Sequence, residues 1–171
     1  KVVNHHLDVP YCVLDRKYSF DENGQHEEDN GSENMIIHGD NLLALKSLLP
    51  QYEGLIKCIY IDPPYNTGED FRYNDKWDKD PNDPDLGEFV GSDDPARHTK
   101  WMKFMYPRLQ MMKAMLKPGG KLVAICANGP RQNDQLRPLV EQHGGEWENL
   151  PPDTFAESGT AVNTALFTLT A

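Results

Sequence analysis

The stretch CIYIDPPYNTGEDF, residues 58–71, sets an acid straight after an apolar run and then stacks two prolines and a tyrosine on it. Proline has no amide hydrogen and cannot continue a sheet ladder, so a strand entering this stretch ends at Asp62. That leaves an acid, backbone carbonyls and an aromatic ring at a strand's C-terminal end. In open α/β sheets ligands bind at that position.

The pattern extends in both directions. Leu55 to Ile61 reads as the strand, with Ile56, Ile59 and Ile61 as core residues and Asp62 at its tip. Upstream, Met35-Ile36-Ile37 is a short apolar run bounded by Gly39, a candidate buried strand. NLLALKSLLP, residues 41–50, carries leucines at helical spacing, and Pro50 is expected to close that helix. Strand, helix, strand in this order predicts a parallel βαβ unit, with Asp40 at the first tip beside Asp62. Downstream, RHTKWMKFMYPRLQMMKAMLKPGG resumes helical patterning. Trp101, Met105, Leu109, Met112 and Leu116 share one face, Pro107 kinks or splits the helix, and KPGG stops it. Lys121 to Ala127 reads as a third buried strand, and residues 130–145 as a weaker helix ending at Gly144-Gly145. The end of the chain reads as a short strand or turn, a Ser-Gly-Thr bend and a helix. The sum is an α/β fold with a mostly parallel sheet and flanking helices, Rossmann-like and incomplete.

Residues 1–34 are expected to form an acidic arm, a linker or partly disordered segment, and residues 35–171 a single α/β domain. Within that domain, residues 69–96 form an acidic, turn-rich loop, long enough to suggest a lid or disorder.

MIIHGDNLLALKSLLPQYEGLIKCIYIDPPYNTG resembles the catalytic core of adenine-specific DNA methyltransferases of the beta class. The nearest group is the modification subunits of type III restriction systems. HTKWMKFMYPRLQMMKAMLKPGGKLVAIC is similar to the helix and strand that follow in that group, so the resemblance covers residues 35–127 without a break. It implies a methyl transfer from S-adenosylmethionine to N6 of an adenine flipped out of double-stranded DNA. The catalytic residues carried over are Asp62, Pro63, Pro64 and Tyr65. The Asp62 side chain and Pro63 carbonyl would accept hydrogen bonds from the amine, and Tyr65 would stack on the base, with Asn66 beside it. No metal is implied. Asp40 and Asn41 are carried over to the cofactor pocket, although Asp40 is equally suited to cap a helix. DTFAESGTA, residues 153–161, resembles the family's glycine-rich cofactor loop, which would add Phe155, Ala156, Ser158, Gly159 and Thr160 to that pocket. Glu157 stands where the family has a glycine and Ala161 where it has a second threonine. A helix start capped by Ser158 or Thr160 is the equal alternative.

The chain opens on Lys1 rather than Met and is expected to be a fragment, a processed chain or an incomplete record. Family members are longer. The resemblance implies that a target-recognition domain, a ribose-binding acid and one strand are missing. The net charge of −10 and pI of about 4.9 argue against strong independent DNA binding, so DNA would engage through another module or a partner chain. A homodimer or a restriction subunit is the expected partner. No apolar run reaches the length of a membrane span, and a cytoplasmic location is expected. Cys12, Cys58 and Cys126 form no CxxC pair, and Cys58 and Cys126 read as core thiols. The six histidines lack metal-ligand spacing. Phe71, Tyr73 and Trp77 anchor the acidic loop or close over a base. Arg97, His98, Lys100 and Lys103 form a solvated helix face or meet phosphates. A catalytically inactive methyltransferase-like remnant or interaction subunit competes with the enzyme reading, and a small-molecule methyltransferase stands third.

Overall fold

The computed structural model describes residues 9–64, 71–73, 88–90, 95, 97–158 and 162–171. A hairpin of β1 (Ser19–Asp21) and β2 (Gly24–His26) lies within the acidic arm. Its turn closes on Gly24 at φ 110°, and Asp21 accepts from the Asn23 amide and contacts His26 Nε2 at 2.9 Å. The stretch before the hairpin lies along helix α1 (Asn41–Tyr52). Val9 is buried with Leu42 and Met111, the Cys12 amide donates to Ser47 Oγ, and the Lys46 ammonium sits over the Tyr11 ring.

Met35–Ile37 does not form the expected strand. Met35 and Ile36 are 53% and 87% exposed, and among the described residues no strand pairs with so short a run. Helix α1 runs through Pro50 rather than ending at it. Pro50 is exposed in the last turn, where one missing amide hydrogen ends little of the helix.

Strand β3 (Ile56–Ile61) follows as the alternation predicts, with Ile56, Ile59 and Ile61 half-buried. Cys58 is exposed, which corrects its reading as a core thiol. A ribbon of β4 (Phe71–Tyr73) and β5 (Glu88–Val90) falls inside the acidic loop. Helix α2 (Arg97–Met115) is continuous through the buried Pro107, so it is not split there, and it ends one residue short of KPGG. Met105, Met111 and Met115 are its buried stripe, each contributing on the order of 2 kcal/mol of burial.

Strand β6 (Leu116–Ala127) begins at once and takes KPGG into itself as an irregularity. Its register against β3 jumps from Ile56↔Leu116 to Cys58↔Lys121. The bulge needs Gly120, whose added Cβ would lie 2.9 Å from the carbonyl oxygens of both Ile56 and Lys117. A π turn (Gln132–Leu136) leads into α3 (Arg137–Gln142), then β7 (Glu146–Asn149) and β8 (Thr164–Thr170).

The principal sheet has the order β3-β6-β8-β7. Strands β3 and β6 are parallel, whereas β8 is antiparallel to both its neighbours. The sheet is therefore mixed, not mostly parallel, and a strand stands where a terminal helix was expected. Thr164, Leu166, Thr168 and Thr170 fall on one face of β8 and Ala165, Phe167 and Leu169 on the other, the period of a strand broken only by Leu166. No helix among the described residues is long and apolar enough to cross a membrane.

Cys126 lies buried in β6, and burial pushes its thiol up to about 11 from 9.0. The folded state thus holds this proton at pH values where the unfolded chain has released it. Stability falls as pH rises from 9 toward 11 and the loss is complete above that. A disulfide reagent at pH 8 is expected to label Cys12 and Cys58 quickly and Cys126 only on unfolding. Equal rates at all three would overturn this burial.

Candidate active site

Strand β3 delivers Asp62 to the C-terminal end of the sheet, level with the last turns of β6 through the Ile61↔Ala124 register. The strand stops there, as two prolines require. Asp62 and Pro64 are exposed and Pro63 is half-buried. Asp62 accepts no hydrogen bond among the described residues. The Pro64 carbonyl accepts from Trp101 Nε1 at 2.6 Å, which ties the tip to the first turns of α2. Tyr65 and Asn66 lie outside the described residues, as do Trp77, Gly159, Thr160 and Ala161.

Asp40 is not at a strand tip. It caps α1, with Oδ1 accepting from the amides of Leu42 and Leu43 at 2.9 and 3.0 Å. Its Oδ2 stands 3.9 Å from the Arg108 guanidinium. Arg108 is 3% exposed. It donates from Nε to Asn41 Oδ1 at 2.6 Å and from a terminal nitrogen to the Phe104 carbonyl, and its plane lies 3.6 Å from the centre of the Phe104 ring. Of the two roles offered for Asp40, which are compatible, the cap is the one observed. Its neighbour Asn41 is exposed with its oxygen occupied, which leaves the amide NH2 to meet a ligand.

The connection from β7 to β8 arrives at the same end of the sheet. Leu150 N donates to the Thr164 carbonyl, and Asn128 N at the end of β6 donates to the Asn163 carbonyl at 2.7 Å. Phe155 is half-buried, Ala156 and Glu157 are exposed, and Ala156–Ser158 form a short 3-10 turn. The expected plan of a glycine-rich loop feeding a helix is not followed, because an antiparallel strand comes next. No helix follows among the described residues to supply the helix start that a cradle of backbone amides would use. The Asp40–Asn41 corner offers the half-buried Asp40 and the exposed Asn41, both held in place, as polar groups of the kind S-adenosylmethionine would meet, and residues 159–161 of the other expected stretch lie outside the described residues.

His98, Lys100 and Lys103 lie on α2, and Arg131 from the turn after β6 reaches the His98 ring at 3.1 Å. Arg131 was not foreseen; its signal was a basic residue just after a strand tip. Among the described residues no group of three or more His, Cys, Asp or Glu is placed to hold a metal.

An α/β sheet with Asp-Pro-Pro at the C-terminal tip of a parallel edge strand places these groups where ligands bind in open α/β sheets. A family model described as DNA methylase matches residues 56–162, and the chain belongs to that family. It is 39% identical over 115 residues to a probable type III restriction-modification enzyme HindVI Mod subunit of Haemophilus influenzae, covering 67% of this chain and 13% of that protein. It is 38% identical over 141 residues to the EcoP15I Mod subunit of Escherichia coli, covering 74% and 21%. The type II methyltransferase M.KpnI of Klebsiella pneumoniae is 38% identical over 97 residues, covering 57% and 20%. The chain thus spans about a fifth or less of the length of these relatives.

Proposed function

We propose that this chain carries the base-binding part of a DNA adenine-N6 methyltransferase of the type III modification kind, built on a Rossmann-like sheet. The observation that carries the reading is the Asp62-Pro63-Pro64 tip, ending a parallel strand and anchored through the Pro64 carbonyl. An adenine amine is a poor nucleophile because its lone pair is delocalised into the ring. The Asp62 carboxylate and the Pro63 carbonyl are acceptors that favour a pyramidal nitrogen and offset the positive charge growing on it. Tyr65 follows directly in sequence and is assigned to stack on the flipped base, with Asn66 beside it. S-adenosylmethionine, when bound, supplies the electrophilic methyl group. Asn41 is the residue assigned to its pocket, with Asp40 holding the helix that presents Asn41. Double-stranded DNA is the substrate, a restriction subunit or a second copy the partner, and the cytoplasm the compartment.

The test is transfer of a labelled methyl group from S-adenosylmethionine to mixed-sequence DNA, followed by nucleoside analysis. Label in N6-methyladenine is expected. Label on cytosine overturns the adenine assignment, and no label at millimolar cofactor overturns the reading and leaves the chain a non-catalytic interaction subunit.

A further inference from the structure

We propose that Trp101 and Arg108 are positioning residues, through which the single helix α2 holds the Asp62–Pro64 tip and the Asp40–Asn41 cap at a fixed separation. The assignment rests on the methyltransferase reading above. Among the described residues no strand of the principal sheet precedes α1, so sheet register does not align the cap with the tip. Helix α2 supplies the alignment instead. Trp101 Nε1 donates to the Pro64 carbonyl and Arg108 Nε to Asn41 Oδ1, each at 2.6 Å. The two residues are seven apart, close to two full turns, so they share one face of the helix about 10 Å apart along its axis.

The chemistry of each contact fixes an orientation. A guanidinium only donates, so the Asn41 atom facing it is the oxygen, and the amide NH2 is turned away from the helix. The Phe104 ring beneath the guanidinium and the Phe104 carbonyl beside it hold the fork flat against α2. Position 108 also lies on the stripe of Met105, Met111 and Met115. An apolar residue there would extend the stripe without the cost of desolvating a charge. Arginine carries that cost and orients Asn41.

Two variants separate positioning from plain stability. Trp101→Phe keeps the ring and removes the N–H; Arg108→Lys keeps the charge and removes the fork. Backbone nitrogen relaxation on the 171-residue chain is the first readout. Trp101→Phe is expected to lower the order parameter of Asp62 from about 0.85 to below about 0.6, with Leu42 and Leu43 unchanged. Arg108→Lys is expected to do the reverse. Wild-type order at both places in both variants overturns the proposal, as does an equal loss at both places in each. Calorimetric titration is the second readout, with adenosine standing in for the flipped base and S-adenosylmethionine as cofactor. Trp101→Phe should weaken adenosine about tenfold and leave the cofactor within about twofold, and Arg108→Lys the opposite, the scale of one lost positioning hydrogen bond. Parallel weakening of both ligands also overturns it. If the wild-type chain takes up neither ligand, the methyltransferase reading fails for this chain, and the relaxation data alone decide the positioning claim.

Discussion

Alanine at position 62 is expected to lower the methyl-transfer rate about 10³-fold and leave the unfolding midpoint unchanged. The two halves of this expectation have separate causes. Asp62 is exposed at the end of β3 and accepts no hydrogen bond among the described residues, so the fold does not depend on its carboxylate. Substitutions of that kind stay within about 0.5 kcal/mol. The rate depends on it because the amine develops positive charge only as the new bond forms. An acceptor aimed at that charge acts on the transition state more than on the bound base. Removing one such preorganised group costs on the order of 10² to 10³ in rate. Asp62→Asn keeps an oxygen acceptor and loses the charge, so its rate should fall between wild type and Asp62→Ala. Adenosine affinity should change much less than rate in both variants. Equal label incorporation by wild type and Asp62→Ala would refute the role given to this side chain.

The parts of the structure legible in the sequence are those with local causes. Two prolines stop β3 wherever the rest of the sheet goes, and Asp40 caps α1 through amides two and three residues away. The closing turn of α3 was equally readable, since Gly144-Gly145 after an amphipathic stretch is a helix stop. Strand β8 was misread although its alternation was present in TALFTLT. The resemblance of residues 153–161 to a loop that feeds a helix outweighed the two-residue period of Thr164–Thr170. The Met35–Ile37 run shows the opposite failure. Three apolar residues suit a buried strand only if a neighbour pairs with them, and pairing is a tertiary fact. Arg108 carries no sequence signal of its own, because a charge on a helix reads as solvated. Its place between Met105 and Met111 was the signal that it faces inward. Pro107 does not split the helix, for a related reason. Packing on the stripe around it holds the helix together past the missing hydrogen bond.

The second large effect concerns stability alone. Gly145→Ala is expected to cost about 3 kcal/mol, read as a lower urea midpoint at unchanged slope. An added Cβ would lie 2.5 Å from the Thr168 carbonyl oxygen, 2.7 Å from Val140 Cγ1 and 2.9 Å from Leu169 Cδ2. The first contact is the severe one. Thr168 is paired with Glu146 across β7 and β8, so its carbonyl cannot retreat without breaking the strand register. Val140 cannot yield either, since it is 3% exposed and anchors α3. Gly144, one residue earlier, separates space from conformation. It has open room around a new Cβ but sits at φ 72°. Its amide donates to the Glu141 carbonyl and that of Gly145 to the Val140 carbonyl, the paired bonds that close a helix on a left-handed residue. Gly144→Ala should therefore cost only about 1 kcal/mol, the strain of a Cβ in that backbone region. If both variants cost the same, the close approach of α3 to β8 is not what fixes Gly145. If Gly145→Ala stays within about 0.5 kcal/mol of wild type, the β7–β8 edge slides freely past α3. The connection between those strands, which lies at the same end of the sheet as the Asp62 tip, would then lack a rigid base.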